Sequence, residues 1–453
     1  MARPNILFYF SDQQRWDTIG AYGQPLDVTP HLDALARQGV LFEEAYSPQP
    51  VCGPCRSVFQ SGLWPTQTGC FRNNIALPLD TKTLADYFTE NGYETAYVGK
   101  WHLASDGELE STPTIDYTIT AVPPERRGGY KGFWRAADVL EFTSHGYDGY
   151  VFDENMNKCE FKGYRVDCIT DFALEFLDQY DNEKPFFMTI SHIEPHHQND
   201  HHTYEGPEGS KTRFEHYQLP HDLKVLRGNA DEMYPDYLGC CRSLDDNLGR
   251  VIDKLKEKGL FDNTIIIYAS DHGSHFMTRN KDAHLNGYDD YKRSCHSSAL
   301  HVPLIIAGPG YKGGLRIKDL VSTASLPKTF LAMAGIDVGD KMIGENLHDV
   351  VEHRDPARRN AIFAQISESR IGRCIRTDKY LYSVYAPRVH GGAQGGSDVY
   401  CDDFLYDLEK DPYELTNVVA DPTYQDIKAQ LREQLCDLME EAKESRPVIR
   451  DNA

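Results

Sequence analysis

The sequence predicts an α/β fold: a large mixed central sheet flanked by helices, with a smaller C-terminal α+β subdomain. Three observations predict it. Short, nearly unbroken apolar runs recur up to about residue 310, as strands buried on both faces require. Stretches of helical period alternate with those runs. After about residue 356 the strand candidates become shorter and follow one another directly before a final helix.

Taken in order, Asn5 to Phe10 is the first apolar run, and it ends in Ser11-Asp12-Gln13-Gln14-Arg15, so polar chemistry begins at its carboxyl end. Thr29-Pro30 opens a helix over HLDALARQ, with a cap, a proline at the first helical position and Gly39 to close it. A helix over Thr83 to Thr89 precedes the strand YETAYVGKWH. Asp167 to Gln179 reads as a helix before the strand PFFMTIS, Pro185 to Ser191. Tyr237 to Lys258 reads as a long helix before the strand Thr264 to Ala269, which runs into Ser270-Asp271-His272-Gly273. VPLIIAG, Val302 to Gly308, is a further buried strand. In open sheets of this kind sites form beyond the carboxyl ends of strands. Residues 103–163 and 197–235 lack a clear period and are rich in Gly, Pro, His and aromatics, which reads as functional loop. AIFAQI, CIRT and KYLYSVY then precede a helix around Gln425 to Ala442. The expected division is 1–355 for the large catalytic unit and 356–453 for the smaller one, completing the pocket.

The chain has 453 residues, 40% of them hydrophobic, and a net charge of −22. That balance argues against a nucleic-acid partner, which needs a basic patch. An anionic small substrate stays compatible, because a cation or a few arginines can make a pocket locally positive. Eleven cysteines without a repeating frame do not make a disulfide scaffold. The opening apolar run is too short for a signal-peptide core, and no segment approaches the ~18 apolar residues of a membrane span. The expectation is a cytoplasmic, reduced protein without a membrane partner, which a trimmed leader would reverse; a homo-oligomer is left open.

VCGPCRSVFQSG, residues 51–62, carries two incompatible chemistries. Cys52-Gly53-Pro54-Cys55 is a dithiol redox string when it stands at the strand-to-helix junction of a small domain. Here the preceding strand ends instead in an acid–amide cluster. Two buried small hydrophobes are the bland alternative. The same residues also form Cys52-x-Pro54-x-Arg56. Asp12 and Asp271-His272 occupy equivalent places after apolar strands, so in one sheet their side chains would converge. Two carboxylates with an imidazole or amide make a divalent-cation site, although a single strand-end Asp is more often a loop cap.

Cys52-x-Pro54-x-Arg56 followed by SVFQSG, together with SDQQRWDTIGAYG, TPHLDALARQG and the C-terminal FLYDLEKDPYELTNV, resembles the sulfatases of the alkaline-phosphatase superfamily. The resemblance runs from Pro4 to about Gly310. It implies an alkaline-phosphatase-like fold and hydrolysis of a sulfate monoester, with Cys52 converted to formylglycine (3-oxoalanine) by a maturation enzyme. The hydrated gem-diol would be the nucleophile, passing through a covalent sulfate hemiester. A helix begun at Pro54 would turn its amides toward an anion, and Arg56 would orient residue 52 and offset charge.

By the same resemblance Lys100 and His102, in Gly99-Lys100-Trp101-His102, bind sulfate oxygens and a diol hydroxyl. His196, in Ser191-His192-Ile193-Glu194-Pro195-His196, contacts the ester and protonates the leaving oxygen, with His192 and His197 as rivals, a metal-binding His cluster as the local alternative, and His201 and His202 on a polar loop. Lys292, rather than Lys281, is the second substrate lysine. The metal ligands would be Asp12, Gln13, Cys52, Asp271 and His272. Gln13 and His272 replace the family's usual aspartate and asparagine, so Ca2+ is expected first, with Mn2+ or another transition ion credible. An Asp-then-His pair also resembles the formylglycine-dependent phosphonate monoester and phosphodiester hydrolases, the main alternative. Cys55 stands where the family signal most often has Ser. The aromatic and histidine-rich loops and the tryptophans at 16, 64, 101 and 134 suit a sulfated mono- or oligosaccharide, with Arg72, Asn73, His145 and residues near Arg370 or His390 as pocket edges.

Overall fold

The computed structural model describes residues 3–107, 114–279 and 291–451. Among the described residues, eleven strands build one sheet. In chain order they are β1 (Asn5–Ser11), β2 (Val40–Tyr46), β3 (Glu94–Lys100), β4 (Phe133–Ala137), β5 (Asp148–Phe152), β6 (Lys158–Lys162), β7 (Phe186–Ser191), β8 (Thr264–Ser270), β9 (His301–Val302), β10 (Leu304–Ala307) and β11 (Leu315–Ser322). Across the sheet the order is β11-β2-β10-β8-β1-β7-β3-β4-β5-β6, with β9 paired to β2. The centre, β8-β1-β7-β3-β4, is parallel. β10 runs antiparallel to β8 and β2, and β4-β5-β6 close the other edge antiparallel, so the sheet is mixed as predicted.

Both faces of β1 are covered, which explains its unbroken apolar sequence. Ile6, Phe8 and Phe10 pack on one face with Phe59, Phe187 and Phe330. Leu7 and Tyr9 pack on the other with Leu244, Leu248, Ile266 and Tyr268. Phe330 is fully buried, with its ring centroid 5.0 Å from that of Phe8. Phe330→Ala should therefore cost about 3–5 kcal/mol, read as a lower denaturation midpoint at unchanged m-value.

A second sheet holds β12 (Ala361–Ile366), β13 (Arg370–Thr377), β14 (Tyr380–His390), β15 (Val399–Asp407) and β16 (Val448–Arg450), in sequential order. The helix Gln425–Glu441 lays Leu431, Leu435 and Met439 on Phe363, Ile375, Tyr382 and Leu405 of that sheet.

Two elements differ from the sequence reading. The long helix spans Ala230–Glu257, starting seven residues before Tyr237, with Pro235 inside it. The proline loses one helical hydrogen bond, but Tyr234, Tyr237 and Leu238 are completely buried in one cluster, and that packing decides the matter. Residues 103–163 hold β4, β5 and β6. The β5–β6 hairpin is an edge whose Lys158, Glu160 and Lys162 face water, so its strands carry little apolar period. No helix among the described residues is long and apolar enough to cross a membrane.

Candidate active site

Strand register assembles the site. β1 and β8 lie side by side with Ser11 opposite Ser270, so Asp12 and Asp271 leave the sheet at the same edge. β7 and β3 end there too, Ser191 opposite both Phe10 and Gly99. Lys100 therefore emerges beside Asp12. Facing this edge, the helix Cys52–Ser61 is buried along its whole length and follows the extended Val51. Cys52 is its first residue, where backbone N–H groups have no helical acceptor. One of them, on Gly53, donates to Asn73 Oδ1 at 2.9 Å.

Asp12 is the hub. Its Oδ2 accepts from Arg56 Nη2 at 2.9 Å and from Lys100 Nζ at 3.0 Å. Its Oδ1 lies 3.5 Å from the Cys52 sulfur and 3.6 Å from His272 Nε2. Arg56 also donates through Nη1 to Lys100 O at 2.8 Å and Ser191 Oγ at 2.7 Å, and its guanidinium covers the Phe10 ring. That anchors the helix to three strand ends. Lys292 Nζ donates to Cys52 Sγ at 3.2 Å and to His196 Nε2 at 2.8 Å. His102 has φ 60 and donates its backbone N–H to Asp138 O at 2.7 Å. Gln13, φ 69, donates its backbone N–H to Asp271 Oδ1 at 3.0 Å and its side-chain amide to Tyr204 and Ser274.

The charges are strongly biased by this packing. Burial raises the Asp12 carboxyl and Cys52 opposes ionisation too, yet Lys100, His196 and Arg56 outweigh both and hold it well below the usual range. Burial likewise raises the Cys52 thiol, but Lys100 and Lys292 with the His102 and His196 hydrogen bonds bring it well below an ordinary thiol. Asp271 goes the other way: burial first, then the charge on Asp12, push it up. His196 is pushed down by burial and by Lys292. In a chain of net charge −22, two ammonium groups, Lys100 and Lys292, thus bear on one buried cysteine.

The remaining predicted residues fall elsewhere. His192 is fully buried against Tyr9, its ring nitrogens have no hydrogen-bond partner, and burial with Arg165 lowers it to about 3, so it is core. His197 stacks on Tyr291. Arg72 donates to Gly107 O and Gly392 O, tying loops together, and Arg370 pairs with Asp403. His145 pairs with Asp200 at 2.8 Å. His390 is exposed at the end of β14. Lys281 lies outside the described residues. Cys55 donates its thiol to Asp271 O at 3.2 Å and burial raises it well above the ordinary value, so it stays a thiol packed beneath the carboxylate pair. A cavity of about 590 Å³ lined by Trp16, His221, Arg376 and Tyr413 contains none of the convergent groups.

Three contributors escaped sequence reasoning. Glu141 Oε2 pairs with Lys100 Nζ at 3.2 Å. Asp138 accepts from the backbone N–H of Leu103, Ala104 and Ser105 at 2.9 Å and so fixes the turn that carries His102. Glu368 takes the Asn73 N–H and, at 2.6 Å, the Arg293 guanidinium, bringing the second sheet to the rim. A strand-end aspartate after FWRAA was a readable signal for Asp138; neither glutamate had one.

Glu141 carries a pH prediction. Burial raises its carboxyl, but Lys100, His196 and His102 prevail and lower it from 4.5 to about 2. A depressed acid stabilises fully above its unfolded pKa and loses that contribution as pH falls through the folded one. Glu141→Gln should therefore be less stable than wild type near neutrality, and the gap should narrow as pH drops from 4.5 toward 2, as urea titrations at several pH values would show.

The profile of the sulfatase family matches residues 4–336, and the N-sulphoglucosamine sulphohydrolase C-terminal profile matches residues 286–441. The chain belongs to the sulfatase family. This sulfatase is 28% identical to an ulvan-active sulfatase of Formosa agariphila over 97% of this chain and 83% of the relative. It is 30% identical to YidJ of Escherichia coli K12, named an uncharacterized sulfatase, over 98% of this chain and 88% of that one. Among solved structures, the phosphonate monoester hydrolase of Agrobacterium radiobacter superposes with a TM-score of 0.68 at 20% identity, covering 97% of this chain and 96% of that one, which shows the shared alkaline-phosphatase-like fold. The sulfatase is a sulfuric ester hydrolase.

Family membership implies a metal-binding site, and the buried groups fit one. Ligand atoms of Asp12, Cys52, Asp271 and His272 all lie within 4.8 Å of one another. Asp271 Oδ2 is buried without a hydrogen-bond partner. Two adjacent carboxylates, one with an unmatched oxygen, are what a cation satisfies.

Proposed function

We propose that this sulfatase hydrolyses a sulfate monoester of a mono- or oligosaccharide, with Cys52, converted to formylglycine by a maturation enzyme, as the nucleophilic position. The observation that carries the reading is the convergence on one sulfur: Asp12 Oδ1 and His272 Nε2 at 3.5 Å and Lys292 Nζ at 3.2 Å. A simple buried cysteine needs no such company. The hydrated aldehyde supplies a nucleophilic oxygen and a means of releasing sulfate afterwards. Asp12, Gln13, Asp271 and His272, with residue 52, would hold a divalent cation. Calcium suits the oxygen donors and manganese the added imidazole, and either supplies Lewis-acid charge at the transferred group.

The side chains do the rest. Lys100 is clamped between Asp12 and Glu141; burial lowers its ammonium, but those carboxylates and Cys52 raise it on balance, so it stays charged to bind sulfate oxygens. Arg56 keeps Asp12 ionised and fixes the helix that carries residue 52. His102 orients the same position. An ammonium can only donate, so Lys292 gives its hydrogen to His196 Nε2, and the imidazole proton sits on Nδ1 toward His197 O, 2.6 Å away. The His196–Lys292 pair therefore holds the proton for the departing sugar oxygen on the line between Nε2 and Nζ. The ulvan-active relative supports a sulfated carbohydrate as substrate. Residues 1–355 supply the chemistry in this reading, and 356–453 complete the pocket through Glu368.

Peptide mass spectrometry after co-expression with a maturation enzyme tests the nucleophile: the Cys52 peptide should lose about 18 Da, against about 2 Da for a Cys52–Cys55 disulfide. Only unmodified Cys52 in active enzyme overturns the assignment. The position of His272, 3.6 Å from both Asp12 and Asp271, favours a second reading, a phosphonate monoester or phosphodiester hydrolase. Efficient phosphonate turnover beside sulfate inactivity would establish it in place of the first.

A further inference from the structure

Near the surface, two turns bring together a second group of ligating side chains. Gln198 and Thr203 pair across a tight turn, with Gln198 N–H on Thr203 O at 2.8 Å, and this presents Asp200 and His201. His145 lies on another closed turn, where its N–H reaches Asp148 O at 2.9 Å and Ser144 bridges to Gly149. The imidazoles of His145 and His201 stack at 4.2 Å between centroids, only 11° from parallel. Ligand atoms of His145, Asp200 and His201 all fall within 4.8 Å of one another.

The supporting contacts point the donors. His201 Nδ1 bonds Glu205 Oε1 at 2.5 Å, which leaves Nε2 as the ligating nitrogen. That is the carboxylate–histidine arrangement that fixes ring orientation and tautomer in metal sites. Asp200 has Oδ1 held by Gln198 Nε2 at 2.7 Å and Oδ2 turned to His145 Nε2 at 2.8 Å. The side chains of His145, Asp200 and His201 are 41%, 58% and 46% exposed, so an ion reaches them without opening the fold. A plain exposed His–Asp pair accounts for one of these contacts; it does not account for a second, stacked imidazole oriented by its own carboxylate.

We propose that His145, Asp200 and His201 form a second metal site, separate from the buried carboxylate pair and selective for a borderline transition ion such as zinc. Two imidazole nitrogens and one carboxylate oxygen, with water in the fourth position, match zinc and disfavour calcium. Binding turns the two imidazoles out of their parallel stack, so that both in-plane lone pairs reach one ion, and replaces the His145–Asp200 hydrogen bond with two bonds to that ion. It also pins the turn at 198–203, on the segment that carries His196, to the turn at 144–149.

The test is calorimetric titration of Zn2+ into the intact enzyme in excess Ca2+, beside the same titration of a His145→Ala/His201→Ala variant. Zinc taken up at Asp12 and Asp271 is common to both proteins and subtracts out. The wild type should bind one more equivalent than the variant and gain a zinc-dependent rise in thermal midpoint that the variant lacks. Glu205→Gln should keep the equivalent but weaken it about tenfold. Co2+ should give the wild type, and not the double variant, the visible absorption of a four-coordinate ion. Equal zinc stoichiometry in wild type and double variant overturns the site.

Discussion

Cys52→Ala should abolish turnover, lowering kcat by about 10⁶-fold, the loss expected when a covalent nucleophile is removed from a coupled catalytic group. The fold should survive. The side chain is small, its helix is tied down by Arg56 at the Lys100 carbonyl, Ser191 and Asp12, and those contacts do not involve the sulfur. The decisive measurement is single-turnover hydrolysis of an aryl sulfate alongside the thermal midpoint. A variant with near-wild-type midpoint and no detectable product matches the assignment, whereas retention of more than about 1% of wild-type kcat removes Cys52 from the reaction.

Lys292→Ala should reduce kcat/KM by about 10²–10³-fold, the usual cost of one preorganised charge donor. His196→Ala should cost about 10²–10⁴-fold with an alkyl sulfate and much less with a nitrophenyl sulfate, whose leaving oxygen needs no proton. Because the two side chains share one hydrogen bond at 2.8 Å, the double variant should lose little more than the worse single one. Lys292 also depresses His196, second only to burial. Removing it should raise the His196 pKa. Strict additivity, or equal losses with alkyl and aryl esters, would show that the pair does not handle the leaving-group proton.

Asp12 and Asp271 were legible in the sequence because a residue just past a buried strand has only one place to go, and both strands announced themselves by unbroken apolar runs. Cys52, Arg56, Lys100 and His196 stood in short strings whose chemistry is specific. Choosing His196 over its neighbours depended on the resemblance; the fold adds that His192, the residue immediately after β7, turns into the core against Tyr9. Glu141 and Glu368 were invisible for a plain reason. Each acts across a long sequence separation from a segment without period, Glu141 on Lys100 and Glu368 on Arg293 and Asn73. Nothing local distinguishes such a carboxylate from a solvated one. The early start of the Ala230–Glu257 helix was hidden because Pro235 is a local signal and the burial of Tyr234 and Tyr237 is not.

The pairing of β1 with β8 sets a clock. Asp12 and Cys52 leave the ribosome early, but the strand that places Asp271 beside them arrives some 220 residues after Cys52. At about 5–20 residues per second the wait is roughly 10–45 s. Throughout it the Cys52 helix has no finished sheet edge to pack against, whereas afterwards its cysteine is 1% exposed. An enzyme that converts Cys52 would have its substrate during synthesis and lose it on folding. Slowing translation between residues 52 and 264 should then raise the converted fraction without any change in the mature sequence.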